Sequence, residues 1–140
     1  MSLFSRILQV HSKIYKGTNG LIGHRLLGVP TLLLRTTGRR SGQTRINALV
    51  YARDGDDLLV VASNGGRDKP PAWLYNLQAS PQVEVQIGRQ RRPAQARIIE
   101  PGDPAYEHLW TVVNANNSDR YTAYQEETSR PIPVVALTPG

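Results

Sequence analysis

The chain has 140 residues and a formal net charge of +6, long enough for one domain with its own apolar core. It holds no cysteine, which excludes disulfides and thiolate metal sites and permits a reducing compartment. No apolar run reaches membrane-spanning length and no secretory signal is visible, so a cytoplasmic protein is expected.

The charge is unevenly placed. Residues 1–53 carry nine Lys or Arg and no Asp or Glu, the first acid being Asp54; the remainder carries eight bases and eleven acids. The first part therefore stands at +9 and the second at −3. Such a field suits an anionic partner: a nucleotide, a phosphate, an acidic tail or anionic lipid. Arginine outnumbers lysine 14 to 3, and its planar fork matches phosphate and carboxylate bidentately. A solvated basic surface would have the same composition.

Leu3 to Tyr15 has apolar residues at helical spacing (Phe4, Ile7, Leu8, Ile14), with Arg6, Gln9, Lys13 and Lys16 on the other face and Gly17 as a stop. A basic amphipathic helix over residues 1–16 either packs on the domain or rests on anionic lipid at the inner face of the plasma membrane. Thr18 to Pro30, with three glycines, reads as a linker. Thr31 to Thr36 is a buried strand, because its leucines run without alternation. Thr37 to Gln43 is a Gly-bearing loop. Thr44 to Arg53 alternates and reads as a second strand, with Asn47 on one face and Ala48 on the other. Asp54 to Asp57 is a turn, and Leu58 to Ala62 a third strand. A second Gly-bearing loop runs to Pro71, which stands where a first helical residue belongs, and the helix it starts ends near Ala79.

Val83 to Ile87 alternates as a half-exposed strand, Gly88 to Arg92 is a basic turn, and Pro93 to Glu100 the return strand. Asp103-Pro104 reads as N-cap and first residue of a helix to about Asn114. Asn116 to Arg130 is polar, with Tyr121 and Tyr124 three apart, and Ile132 to Leu137 is the last strand. About six strands joined mostly by turns pair antiparallel, and few helices accompany them. That is a mainly β, α+β fold, with a barrel favoured.

Two loops carry chemistry. In Gly38-Arg39-Arg40-Ser41-Gly42-Gln43-Thr44-Arg45, glycines let backbone N–H groups approach an anion, arginines supply charge and Ser41 a hydroxyl. It is neither a Walker loop nor a Rossmann fingerprint. In Ala62-Ser63-Asn64-Gly65-Gly66, the backbone and two short polar side chains suit the edge of a planar ring, with the helix N-terminus near Ala72 adding a partial positive charge. His11, His24 and His108 lack metal-ligand spacing, no carboxylate dyad stands out, and no metal is expected. An enzyme with so few acid–base groups lets a cofactor carry the reaction. The basic stretch has little interleaved aromatic surface, which speaks against nucleic acid.

Thr36 to Arg45, Val61 to Gly66, Pro71-Ala72-Trp73-Leu74-Tyr75-Asn76-Leu77, Tyr121 to Gln125 and Ile132 to Pro139 stand in the order and spacing of a known family. Together they resemble the deazaflavin-dependent nitroreductase and quinone reductase family of actinobacteria, over roughly His11 to the end. The resemblance implies a flavin-reductase-like split β-barrel in a single domain. It implies coenzyme F420, an 8-hydroxy-5-deazaflavin with a phosphate and polyglutamate tail, and hydride transfer to quinones, nitroaromatics or activated enones. Carried over, Arg39, Arg40, Ser41, Gly42 and Arg45 would hold the phosphate and tail. Ala62, Ser63, Asn64, Gly65 and Gly66 would face the ring, with Pro71, Ala72 and Trp73 at its other edge and Asn47 and Lys69 completing the cofactor-binding set. Tyr121 and Tyr124 would line the acceptor side as the candidate catalytic residues. Pro70 stands where the family often has histidine, and Ala48 where it commonly has proline. An FMN-dependent oxidoreductase on a similar barrel, or a non-catalytic flavin or deazaflavin carrier, is the alternative.

Overall fold

The structure, a computed structural model, describes residues 30–140, so the expected N-terminal helix and glycine-bearing linker lie outside the described residues. Seven strands form one antiparallel sheet: β1 (Thr31–Thr37), β2 (Thr44–Val50), β3 (Ala52–Asp54), β4 (Asp57–Val61), β5 (Gln82–Ile87), β6 (Gln90–Ile99) and β7 (Val134–Pro139). Three helices accompany it: α1 (Ala72–Ala79), α2 (Tyr106–Asn116) and α3 (Arg120–Glu126).

The spatial order is β2-β1-β5-β6-β7-β4-β3. The two edge strands are thus consecutive in the chain, with Tyr51 alone between them. Strands one residue apart cannot lie at opposite ends of a flat sheet, so the sheet curls until its edges meet. The second expected strand, Thr44 to Arg53, is divided at Tyr51, and this makes the count seven rather than about six. Up to Val50 it pairs with β1; from Ala52 it pairs with β4. The backbone of Tyr51 leaves the ladder and is satisfied elsewhere. Its N–H donates to Pro30 O at 3.1 Å, and its carbonyl accepts from Asn116 Nδ2 at 2.8 Å.

Alternation along the strands sorts two cores. Leu32, Leu34, Leu58, Val60, Val135 and Leu137 join α1 residues Trp73, Leu74 and Leu77 in one cluster. Leu59, Val61, Val134 and Ala136, their neighbours in sequence, face the other way and meet Tyr106, Leu109, Val113 and Tyr121 of α2 and α3. β1 lies between β2 and β5, and its leucines are buried on both faces, which is why they run without alternation. Each such side chain contributes on the order of 1.5–3 kcal/mol by burial.

Several boundaries differ from the sequence reading. Pro71 is the N-cap of α1 rather than its first residue. α2 begins at Tyr106, because Asp103 Oδ1 instead accepts from Ala105 N–H at 2.9 Å and closes a turn ahead of the helix. The basic turn after β5 is shorter than expected, β6 starting at Gln90, and the last strand starts at Val134. The polar stretch with the two tyrosines is helical over α3, which places Tyr121 and Tyr124 on one face.

Candidate functional site

The first Gly-bearing loop is a tight β1–β2 connection. Gly38 N–H donates to Gln43 O and Gly42 N–H to Gly38 O, both at 2.8 Å. Gly42 has φ +71°, which a side chain would strain. The loop turns its polar atoms outward into a groove of about 690 Å³ lined by Arg39, Arg40, Ser41, Thr44 and Arg45, with Asn76 of α1 at its floor. Among the described residues, none of the three arginines meets a carboxylate. Arg39 lies over the ring of Tyr75 with 4.8 Å to the centroid.

Asn76 is buried and ties this loop to the helix. Its Nδ2 donates to Thr36 Oγ1 at 3.1 Å, and its Oδ1 accepts from the backbone N–H of Arg39 at 3.1 Å. Sequence reasoning missed it. Its only signal is helical spacing: Asn76 falls three residues after Trp73 and shares that buried face.

A second recess, a cavity of about 660 Å³, opens beside the groove and shares Asn47, Ala72 and Trp73 with it. One side is the loop after β4, through Ser63, Asn64 and Gly65, followed by Lys69 and Pro71. Tyr121 and Tyr124 line it as well. Leu49, Val61, Arg67, Asp68 and Pro70, which the sequence reading did not select, also line it. Gly42, Ala62 and Gly66, expected among the cofactor-binding residues, line neither recess. Ala62 is fully buried in the cluster that Trp73, Leu74 and Leu77 of α1 join. Gly66 packs on α3: a Cβ there would lie 3.0 Å from Tyr124 O.

The loop after β4 is unusual in its backbone. Ser63 is right-handed (φ −81°, ψ −31°), and Asn64, Gly65 and Gly66 all have positive φ, at 46°, 66° and 83°. Asn64 Nδ2 donates to Lys69 O at 2.9 Å and holds its own left-handed turn. A right-handed residue followed by a left-handed one turns consecutive N–H groups to one side, a nest for negative charge. Gly66 N–H closes the turn on Ser63 O, whereas the N–H groups of Ser63, Asn64 and Gly65 meet no acceptor among the described residues.

The aromatic wall is graded in exposure. Tyr121 is 7 % exposed, Tyr124 more open, and their rings meet edge-on at 6.3 Å. Burial pushes the Tyr121 hydroxyl well above the ordinary phenol range, with Asn117 opposing in part. Burial also raises Tyr124, against the pull of Arg120. Both phenols are neutral donors at physiological pH. Of the expected histidines only His108 is described, and it faces Asp54 at 3.1 Å on the surface. No group of His, Asp and Glu among the described residues could hold a metal ion. No helix among the described residues is long and apolar enough to cross a membrane.

A cationic groove continuous with a cavity lined by both backbone donors and phenols fits a ring-bearing, anionic cofactor. The curled antiparallel sheet places it on a split-barrel fold, one shared with a pyridoxamine 5'-phosphate oxidase-related, FMN-binding protein of Nostoc punctiforme at TM-score 0.55 and 16% identity, over 99% of this chain and 82% of that one. A solved F420-H2 dependent reductase aligns at TM-score 0.68 and 36% identity, over 77% of this chain and 93% of its own. An F420H(2)-dependent quinone reductase of Mycobacterium tuberculosis is 53% identical over 134 residues, 95% of this chain and 90% of that protein. The family model described as F420H(2)-dependent quinone reductase matches residues 7–139. The chain belongs to this family of oxidoreductases, whose cofactor is coenzyme F420.

Proposed function

We propose that the chain transfers a hydride from reduced F420 to a quinone, with nitroaromatics and activated enones as further acceptors, and that the residues above divide the work. The carrying observation is the continuity of groove and cavity through Asn47, Ala72 and Trp73. The donor set fits the cofactor. Arg39, Arg40, Ser41 and Arg45 would hold its phosphate and acidic tail, and the free N–H groups of Ser63, Asn64 and Gly65 its ring. When bound, reduced F420 supplies the hydride.

The chain's own residues then orient and stabilise. Hydride transfer builds negative charge on an acceptor oxygen, and a fixed donor lowers that barrier. Tyr124 and Tyr121 offer such donors from the helix packed beside the loop. A quinone needs one hydride and one proton to become a hydroquinone; with both phenols raised by burial, they serve as hydrogen-bond donors to the developing oxyanion and the proton comes from solvent. The test is anaerobic oxidation of reduced F420 by menadione, read as the return of oxidised-cofactor absorbance. Tight binding of F420 without turnover of any quinone would make the chain a carrier.

The basic amphipathic stretch of residues 1–16 adds cytoplasmic-face contact with anionic lipid to this proposal, because lipid is where an apolar quinone partitions. Co-sedimentation with anionic vesicles, lost on deletion of residues 1–16, is the expected result.

A further inference from the structure

Arg130 lies between α3 and β7, outside the motifs that identify the family site, and neither recess includes it. Its guanidinium takes three carbonyls of the loop after β4. Nη2 donates to Ser63 O at 2.8 Å and to Ala62 O at 3.2 Å, and Nε donates to Arg67 O at 2.9 Å. Among the described residues it meets no carboxylate within ion-pair distance. Partial burial lowers its pKa, so the charge is held at some cost in desolvation.

The geometry points to Arg130 as the positioning residue that turns two of the ring-side N–H groups, those of Ser63 and Asn64, together with that of Asp68, into the cavity. This inference rests on the reading of that cavity as the F420 ring site. In a trans peptide the C=O of one residue and the N–H of the next point in opposite directions, and the described chain has no cis bond. Fixing the carbonyls of Ala62, Ser63 and Arg67 on one guanidinium therefore aims the N–H groups of Ser63, Asn64 and Asp68 the other way. Those three residues all line the cavity, and none of the three N–H groups has an acceptor among the described residues. One side chain thus sets the direction of three donors. Its positive charge also polarises those peptides and strengthens each N–H toward negative charge.

The clamp is itself held by the tyrosine helix. Gln125 Nε2 donates to Arg130 O at 2.8 Å, and Gln125 Oε1 accepts from Ile132 N–H at 3.0 Å. Thr128 Oγ1 donates to Asp68 Oδ1 at 2.8 Å. The donor loop and the wall that carries Tyr121 and Tyr124 form one braced unit. Lysine cannot replace the clamp: an ammonium lacks the planar fork that reaches carbonyls of residues 62, 63 and 67 together.

The test compares Arg130→Lys and Arg130→Gln with the wild type and with Arg45→Ala, using two probes. One is F420; the other is 8-hydroxy-5-deazariboflavin, its chromophore without phosphate or tail. Backbone hydrogen exchange over residues 62–68 of the free protein is the second readout. Both Arg130 variants should lose about tenfold or more in affinity for the chromophore, the loss of aligned donors to a charged or polar edge. They should also speed exchange at residues 62–68 while exchange in β1 and β5 stays as in the wild type. Arg45→Ala should lose affinity for F420 alone and leave exchange unchanged. The lysine variant keeps the charge and the stem, so it separates the fork from the charge. Wild-type chromophore affinity and exchange in Arg130→Lys would overturn the inference. Failure of the wild type to bind F420 at all would instead overturn the reading of the site.

Discussion

Replacing Asn76 with alanine tests whether one buried amide holds the cationic loop in place. The side chain is 4 % exposed and joins three elements: Thr36 at the end of β1, the backbone of Arg39, and α1. A weaker contact at 3.5 Å runs from Arg39 Nη1 to the same Oδ1. Truncation removes the donor to the hydroxyl of Thr36, a residue 2 % exposed, and the acceptor for the Arg39 N–H. Leaving a buried polar group unpaired costs about 1–3 kcal/mol. Thr36 is sealed and pays most of that, whereas Arg39 lies at the groove and regains water, so the sum is about 2–4 kcal/mol. At roughly 4 °C per kcal/mol for a domain of this size, the midpoint should fall by about 8–16 °C. Cofactor affinity should fall by only about 3–10-fold, the worth of roughly one net hydrogen bond, because Arg40 and Arg45 remain. The rate at saturating cofactor and acceptor should hold, since the loop lines the groove and the tyrosines line the cavity. Thermal unfolding and a fluorescence titration with F420 read the two effects separately. A lower midpoint with unchanged F420 affinity would show that Arg39 finds its place without Asn76, through its stack on Tyr75, and the reasoning would fail.

Arg45→Ala should weaken F420 binding by about 1.5–3 kcal/mol, some 10–150-fold, with turnover at saturation unchanged, as read by equilibrium titration. Tyr121→Phe and Tyr124→Phe keep the rings and remove the hydroxyls; the rate at saturating acceptor should drop roughly tenfold or more with cofactor affinity intact, and wild-type rates in the double variant across acceptor classes would leave the tyrosines as walls. Tyr106 is pushed up to about 12 by burial, with Glu107 and Glu100 adding to the shift, and its hydroxyl donates to Ile132 O at 2.6 Å. Its folded-state pKa is the higher one, so its contribution is whole below pH ~10 and is lost as pH rises toward 12. Midpoints measured from pH 7 to 11.5 should begin to fall near pH 10, and Tyr106→Phe should show a shallower fall.

Much of the fold is legible because burial writes itself into local pattern. The leucines of β1 and the proline ahead of α1 are signals a short window contains. The division at Tyr51 is not, because alternation runs through it unbroken and only the partners on each side differ. α3 is hidden for another reason: it is polar, and it starts behind Ser118 and Asp119 at positive φ, without a side-chain cap. In the candidate site, arginines, glycines and tyrosines announce themselves by type. Asn76 and Arg130 do not, since each works on backbone groups far away in sequence, and a single amide or arginine carries no spacing to read.

The cavity's chemistry follows from which of its ionisable groups face solvent and which are buried. Asp68 is the one acid among the described residues lining it, and Asp68 Oδ1 is taken up by the Thr128 hydroxyl. Lys69 and Arg67 are exposed at the rim. Both tyrosines are raised, so neither becomes a phenolate near neutral pH and neither serves as a base. What remains is a set of fixed donors, backbone and phenolic, around a largely apolar space. Such a set stabilises negative charge wherever it develops on an acceptor oxygen and demands little of the acceptor's shape. On the proposed function, discrimination among quinone-type acceptors falls to the apolar positions at Leu49, Val50 and Val61 rather than to the donors.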